Sequence, residues 1–129
     1  MKIRNGWVGN SSSSSFVIVG KRINEDNDDK LIDKYLKDSK RTQYDHDEFW
    51  DWLQTLIEEY DDNDLYTEHG LDEYGDDIFI GVHPDIMFDN ETKSKFKERV
   101  ARLINESVGI KDYVFADDIM IFNDGGYDG

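Results

Sequence analysis

The side chains able to do chemistry in this sequence are three histidines, five consecutive serines and a dense population of carboxylates, so their spacing comes first. His46, His69 and His83 are never closer than 14 residues, and no His-x-x-x-His pair offers two imidazoles on one helical turn. Each therefore reads as a turn or surface residue rather than a ligand. A divalent site built from His46, Asp47 and a remote acid is the one metal arrangement open to them. Asp61-Asp62-Asn63-Asp64-Leu65-Tyr66 begins like a calcium loop, but Leu65 and Tyr66 stand where an oxygen ligand and a glycine are needed. The Ser11–Ser15 run follows Gly6-Trp7-Val8-Gly9-Asn10, which lacks both the lysine of a phosphate loop and the flanking glycines of a nucleophile elbow. There is no cysteine, which removes thiol catalysis, Cys-based zinc sites and a disulfide framework together. The expectation is a protein without catalytic residues, cofactor or dedicated metal.

Charge is the stronger signal. The chain has 129 residues, 30 acids against 15 bases, and a formal net charge of −15. Residues 1–24 contain four bases and no acid, whereas the remainder carries all 30 acids against 11 bases. Between Arg41 and Lys93 there are 17 acids and no Lys or Arg. Such a surface repels nucleic acid and anionic membranes and selects basic partners. Glu58, Glu59, Asp61, Asp62 and Asp64 follow one another at a helix C-terminus, where negative charge opposes the helix dipole. The other two helices read with the favourable charge order, so the reversal marks this one for function. Tyr44, Tyr60, Tyr66 and Tyr74 interleave with the acids, and Trp50 falls off the apolar stripe of its helix, as an exposed interface anchor would. Trp52 lies on the stripe and reads as core. The predicted partner-binding set is Glu58, Glu59, Asp61, Asp62, Asp64, Asp72, Glu73, Asp76 and Asp77 with Trp50, Tyr60 and Tyr66.

The elements that must position these residues follow from periodicity. Phe16–Gly20 is continuously apolar and predicts a strand buried on both faces. A helix is expected from about Asp29 to Asp38, with Leu31, Ile32, Tyr35 and Leu36 inward. The strongest helix spans 46–60, capped by Asp45 with Glu48 three residues on, and carries a stripe of Phe49, Trp52, Leu53, Leu56, Ile57 and Tyr60. Asp77–Val82 reads as a central strand, and a third helix capped by Asp89 or Asn90 runs to about Ser107. Tyr113–Ala116 and Ile119–Phe122 read as further strands, forming one bent strand or a hairpin across Asp117-Asp118. The expected fold is a single α+β domain over 1–129, two layers with about three helices on a small mixed β-sheet; a short α/β arrangement is the alternative. Residues 1–15 form a Ser-rich leader, and 123–129 are expected to be a mobile, turn-like tail. No apolar stretch approaches 18 residues and no secretory h-region follows the N-terminus, which predicts a cytoplasmic protein with no membrane partner.

One string carries a resemblance. Lys2, Arg4, Gly6 and Asn10 followed by Ser11–Ser15 and Phe16 are similar to the Lys-x-Arg-x-Gly-Phe-Val-Ser-Asn-Ser-Ser-Ser-Ser-Ser-Phe leader of small bacteriophage and prophage proteins, with Trp7 in place of Phe and Gly9 in place of Ser. The match covers about 18 residues, and members of the group diverge after it. The resemblance implies a phage accessory protein acting in the cytoplasm of an infected bacterium. Joined to the acidity, it leads to the expectation of an inhibitor of a host or anti-phage defence protein, with a nucleic-acid-mimicking surface directed at a basic enzyme. A virion or assembly component and a small metal-dependent hydrolase are the alternatives.

Overall fold

A computed structural model of the chain describes residues 17–24, 28–60, 64–69, 77–123 and 126–128. Three helices, α1 (Asp29–Ser39), α2 (His46–Tyr60) and α3 (Lys93–Val108), lie on one face of a five-stranded sheet formed by β1 (Val17–Ile23), β2 (Leu65–His69), β3 (Ile78–Val82), β4 (Met120–Asn123) and β5 (Gly126–Asp128). The strand order is β2-β3-β1-β4-β5. The two-layer α+β expectation is met. Every described pairing is antiparallel, however, so the sheet is not mixed. Because β1 runs against both neighbours, β3 and β4 are parallel to each other across it, and α3 joins them as a split β-α-β unit.

Alternation explains the two cores. Val19 and Ile23 of β1 and Ile78, Ile80 and Val82 of β3 point to the helices, where they meet Leu31 and Tyr35, Phe49, Leu53 and Ile57, and Phe96, Val100 and Ile104. Ile18, Phe79 and Phe122 form a second buried cluster on the opposite face, with Tyr66 and Met120 packed against it. Burial on both faces is why β1 and β3 read as unbroken apolar runs. Gly20 and Gly81 pair with each other at the centre of the sheet. A Cβ on Gly81 would sit 2.1 Å from the Val19 carbonyl oxygen, and one on Gly20 would sit 1.9 Å from that of Ile80. The two central strands therefore approach as closely as they do only because both positions lack a side chain.

The helix limits follow from their caps. Asp45 Oδ1 accepts from the Glu48 N–H at 3.0 Å, as expected for α2. The Glu48 carboxylate does not return to the cap; it pairs with Arg41 at 3.0 Å. The cap of α3 is Thr92, whose hydroxyl accepts from the Lys95 N–H at 3.2 Å, rather than Asp89 or Asn90. Those two occupy the corner of a turn closed by Glu91 N–H to Phe88 O at 3.0 Å. Glu91 is in turn gripped by Arg99 at 2.8 and 3.0 Å, which holds its carboxyl below the usual carboxylate range.

Four strand expectations change. β1 continues past Gly20 to Ile23 because Lys21 and Arg22 find carboxylate partners, Asp28 at 3.2 Å and Asp77 at 3.3 Å. Tyr113–Ala116 is not a strand: the Asn105 side-chain amide takes both the N–H and the C=O of Val114, at 2.8 and 2.9 Å, in place of a neighbouring strand. A single 3₁₀ turn, Ala116–Asp118, then leads into β4. β2 was not anticipated within the acid-rich window, and part of the tail pairs with β4 as β5. The Ser11–Ser15 run lies outside the described residues.

Gly81→Ala is expected to cost about 2–3 kcal/mol in urea unfolding, because backbone of the central pair must separate. Gly109, the left-handed C-cap of α3, has φ +74° but space for a Cβ, so Gly109→Ala should cost only about 1 kcal/mol.

Candidate interaction surface

The amphipathic helix α2 sets the outward display of charge. With Phe49, Leu53 and Ile57 buried, Asp47, Asp51, Glu58 and Glu59 are exposed, and the helix contains no Lys or Arg. Asp64 is exposed in the turn before β2. Asp61, Asp62, Asp72, Glu73 and Asp76 lie outside the described residues. The remaining expected contact residues are tied into the fold. Asp77 is half-buried and paired with Arg22. The Tyr60 hydroxyl donates to Glu106 Oε1 of α3 at 2.7 Å, and the Tyr66 hydroxyl donates to the Val17 carbonyl across the sheet. Trp50 is half-buried against the core rather than exposed, its ring 5.3 Å from that of His69, because β2 covers that side of α2. Trp52 also packs on the core, edge-on to Tyr35 at 5.7 Å.

The first turn of α3 carries Lys93 and Lys95 and no acid, and its last turn carries Glu106 and no base. Unfavourable charge order is therefore not peculiar to α2. What distinguishes α2 is the complete lack of basic side chains on its exposed face.

The structure joins two histidines that spacing had separated. His46, the first residue of α2, and His69, the last of β2, bring their Nε2 atoms to 2.8 Å although they are 23 residues apart. The Tyr44 hydroxyl lies 2.9 Å from the other ring nitrogen of His46. Only pairing of β2 with β3 puts His69 there, so no motif in the sequence signals the contact. Among the described residues no group of three or more His, Asp or Glu side chains is arranged to hold a metal ion.

Cavities lie elsewhere on the surface. One, of about 590 Å³, is a largely apolar groove between α3 and residues 109–116, with Ala101, Ile110, Val114 and the exposed Phe115 on its walls. The other, of about 330 Å³, is polar and lined by Lys21, Asp28, Lys30, Tyr113 and Asp118. At its base the buried Asp28 carboxylate receives Lys21 at 3.2 Å, the Tyr113 hydroxyl at 2.7 Å and the Asn24 N–H at 2.9 Å. These contacts satisfy the charge and join three segments, so this constellation reads as a structural junction rather than a reactive one. Burial, with Asp28 second, pushes the Tyr113 hydroxyl far above the ordinary tyrosine value.

Comparison with family models, with curated proteins and with solved structures returned no match. Among the described residues no helix is long and apolar enough to cross a membrane.

Tyr113→Phe is expected to cost about 2 kcal/mol in denaturant unfolding, the value of a hydrogen bond to a buried charge. Because the Tyr113 proton is held more tightly in the folded chain, its contribution is complete below about pH 10 and is lost as pH rises further. Denaturant unfolding at a series of alkaline pH values should accordingly show less alkaline destabilisation in the variant than in the wild type.

Proposed function

We propose that the protein is a phage-encoded accessory protein that binds, and by binding inhibits, a basic host or anti-phage defence protein in the cytoplasm of the infected cell. The observation that carries this reading is the exposed face of α2. Asp47, Asp51, Glu58 and Glu59 extend over about 18 Å of helix with no basic residue among them. Glu48 is the carboxylate of α2 shown with a basic partner, and that partner, Arg41, precedes the helix. The leader resemblance described above supports the phage assignment, and the base-free stretch around α2 supports a basic partner. A rigid helix presenting carboxylates at fixed intervals is also the element a mimic of a nucleic-acid backbone requires. The binding energy of such a face comes from charge complementarity, which accelerates encounter and is screened by salt. Inhibition then needs no chemistry of the protein's own, since occupancy of a basic cleft excludes its polyanionic substrate.

The test is affinity capture from a bacterial host lysate, followed by surface plasmon resonance on the captured protein. Binding is expected to weaken at least about tenfold between 50 mM and 500 mM salt. Asp51→Asn with Glu58→Gln and Glu59→Gln should lower the association rate at 50 mM salt by a similar factor. The triple variant should fold, because removing the two glutamates relieves an unfavourable dipole interaction. A captured partner that is not basic, or one bound equally well by the triple variant, rules the proposal out.

A further inference from the structure

We propose that His46 and His69 form a one-proton latch between α2 and the edge strand β2, which opens when both imidazoles become protonated. The geometry distinguishes this from a metal site. The ring centroids lie 5.1 Å apart, close to the largest separation that a 2.8 Å contact between Nε2 atoms permits. The two nitrogens therefore face each other head-on along a single line, as an N–H donor faces an N acceptor. Two imidazoles on one tetrahedral ion would instead aim at a third point about 2.0–2.1 Å from each nitrogen, so their axes would cross at an angle. A metal held on the line between them needs the nitrogens about 4 Å apart. The gap fits one hydrogen atom and no metal.

Proton counting gives the behaviour. With both rings neutral, one Nε2 carries the hydrogen and the other accepts it. With one ring charged, the same line holds an imidazolium donor and a neutral acceptor, which is a stronger bond. With both charged, two N–H groups point at each other across 2.8 Å, and neither an acceptor nor room for the second hydrogen remains. The contact must then part. Tyr44 holds His46 through Nδ1 at 2.9 Å, and the Trp50 ring meets His69 at 5.3 Å.

The charged and titratable groups around the pair come from each adjoining element. Tyr44, Asp45, Asp47 and the Arg41–Glu48 ion pair surround the start of α2. Glu68 precedes His69 on β2, and Asp77 with Arg22 stands beside Ile78, the residue of β3 that pairs with His69. None lies between the two nitrogens, so none relieves the clash of a second proton. The 2.8 Å line has room for one hydrogen, so the opened arrangement accommodates one proton more than the latched one. Opening therefore takes up a proton and becomes easier as pH falls, by at most about tenfold per pH unit. β2 is the sheet's edge, held along β3, under α2 and by the Tyr66 hydroxyl on the Val17 carbonyl, so its His69 end is the part released.

Amide hydrogen exchange on the full chain, corrected for intrinsic rates, tests this between pH 7.5 and pH 5.0. The wild type should lose protection in β2 and the first turn of α2 by at most about tenfold per pH unit in the acid range, while the β1–β3 pairing keeps its protection. His69→Gln supplies one N–H to His46 Nε2 and takes up no proton, so its β2 protection should not respond to pH. Wild-type β2 protection that is independent of pH overturns the latch, and this profile alone decides if the variant does not fold. An unchanged pH response in His69→Gln also overturns it. So does protection of β2 by equimolar Zn²⁺, which would show that the rings turn to share a metal.

Discussion

The fold is organised around one buried carboxylate. Asp28 sits where the end of β1, the start of α1 and the segment returning from α3 converge, and it accepts from a lysine, a tyrosine 85 residues away and a backbone N–H. Its carbonyl also begins the hydrogen-bond ladder of α1, accepting from the Ile32 N–H at 3.0 Å. The consequences propagate outward. Fixing α1 places Tyr35 in the centre of an aromatic group with Tyr44, Phe49 and Trp52, and that group sets α2 against the sheet. A buried charge is costly unless every partner is present, so these segments settle together or not at all.

Basic side chains are few, and the structure uses several of them internally. Lys21, Arg22, Arg41 and Arg99 each hold a carboxylate, and Arg99 also lies over the Phe88 ring at 4.3 Å. Cations committed to Asp28, Asp77, Glu48 and Glu91 do not offset the acids of the outer face of α2. The negative surface is thus a consequence of placement as much as of composition. It is accompanied by self-repulsion that the apolar cores on both faces of the sheet must outweigh.

Helices were legible because a 3.6-residue stripe is long and redundant; α2 begins and ends at the residues its periodicity and Asp45 indicate. β1 and β3 were legible as apolar runs. β2 was not, since Leu65 is its one fully buried side chain and its other residues read as part of the acidic window. Tyr113–Ala116 has the composition of a strand, yet the Asn105 amide takes both backbone groups of Val114 and the Asp118 carboxylate takes the Phe115 N–H. Trp50 seemed to belong outside because the element covering it had gone unrecognised. The His46–His69 contact depends on that same strand. What the sequence concealed was thus mainly one short edge element and everything that leans on it.

The position of β1 has a further consequence, for biosynthesis. The first strand among the described residues is the middle of the sheet, bonded on one side to residues 78–82 and on the other to residues 120–123. At ordinary ribosomal speeds about 60 residues separate the start of β1 from that of β3 and about 100 separate it from that of β4, delays on the order of 3–12 s and 5–20 s. During that time Val17, Ile18 and Val19 have no sheet to enter, and the pairing they await is strongly non-local. The nascent chain must therefore keep this apolar strand apart from other chains until residues 78–82 and 120–123 have been made, a task for which a strongly charged intervening sequence is well suited.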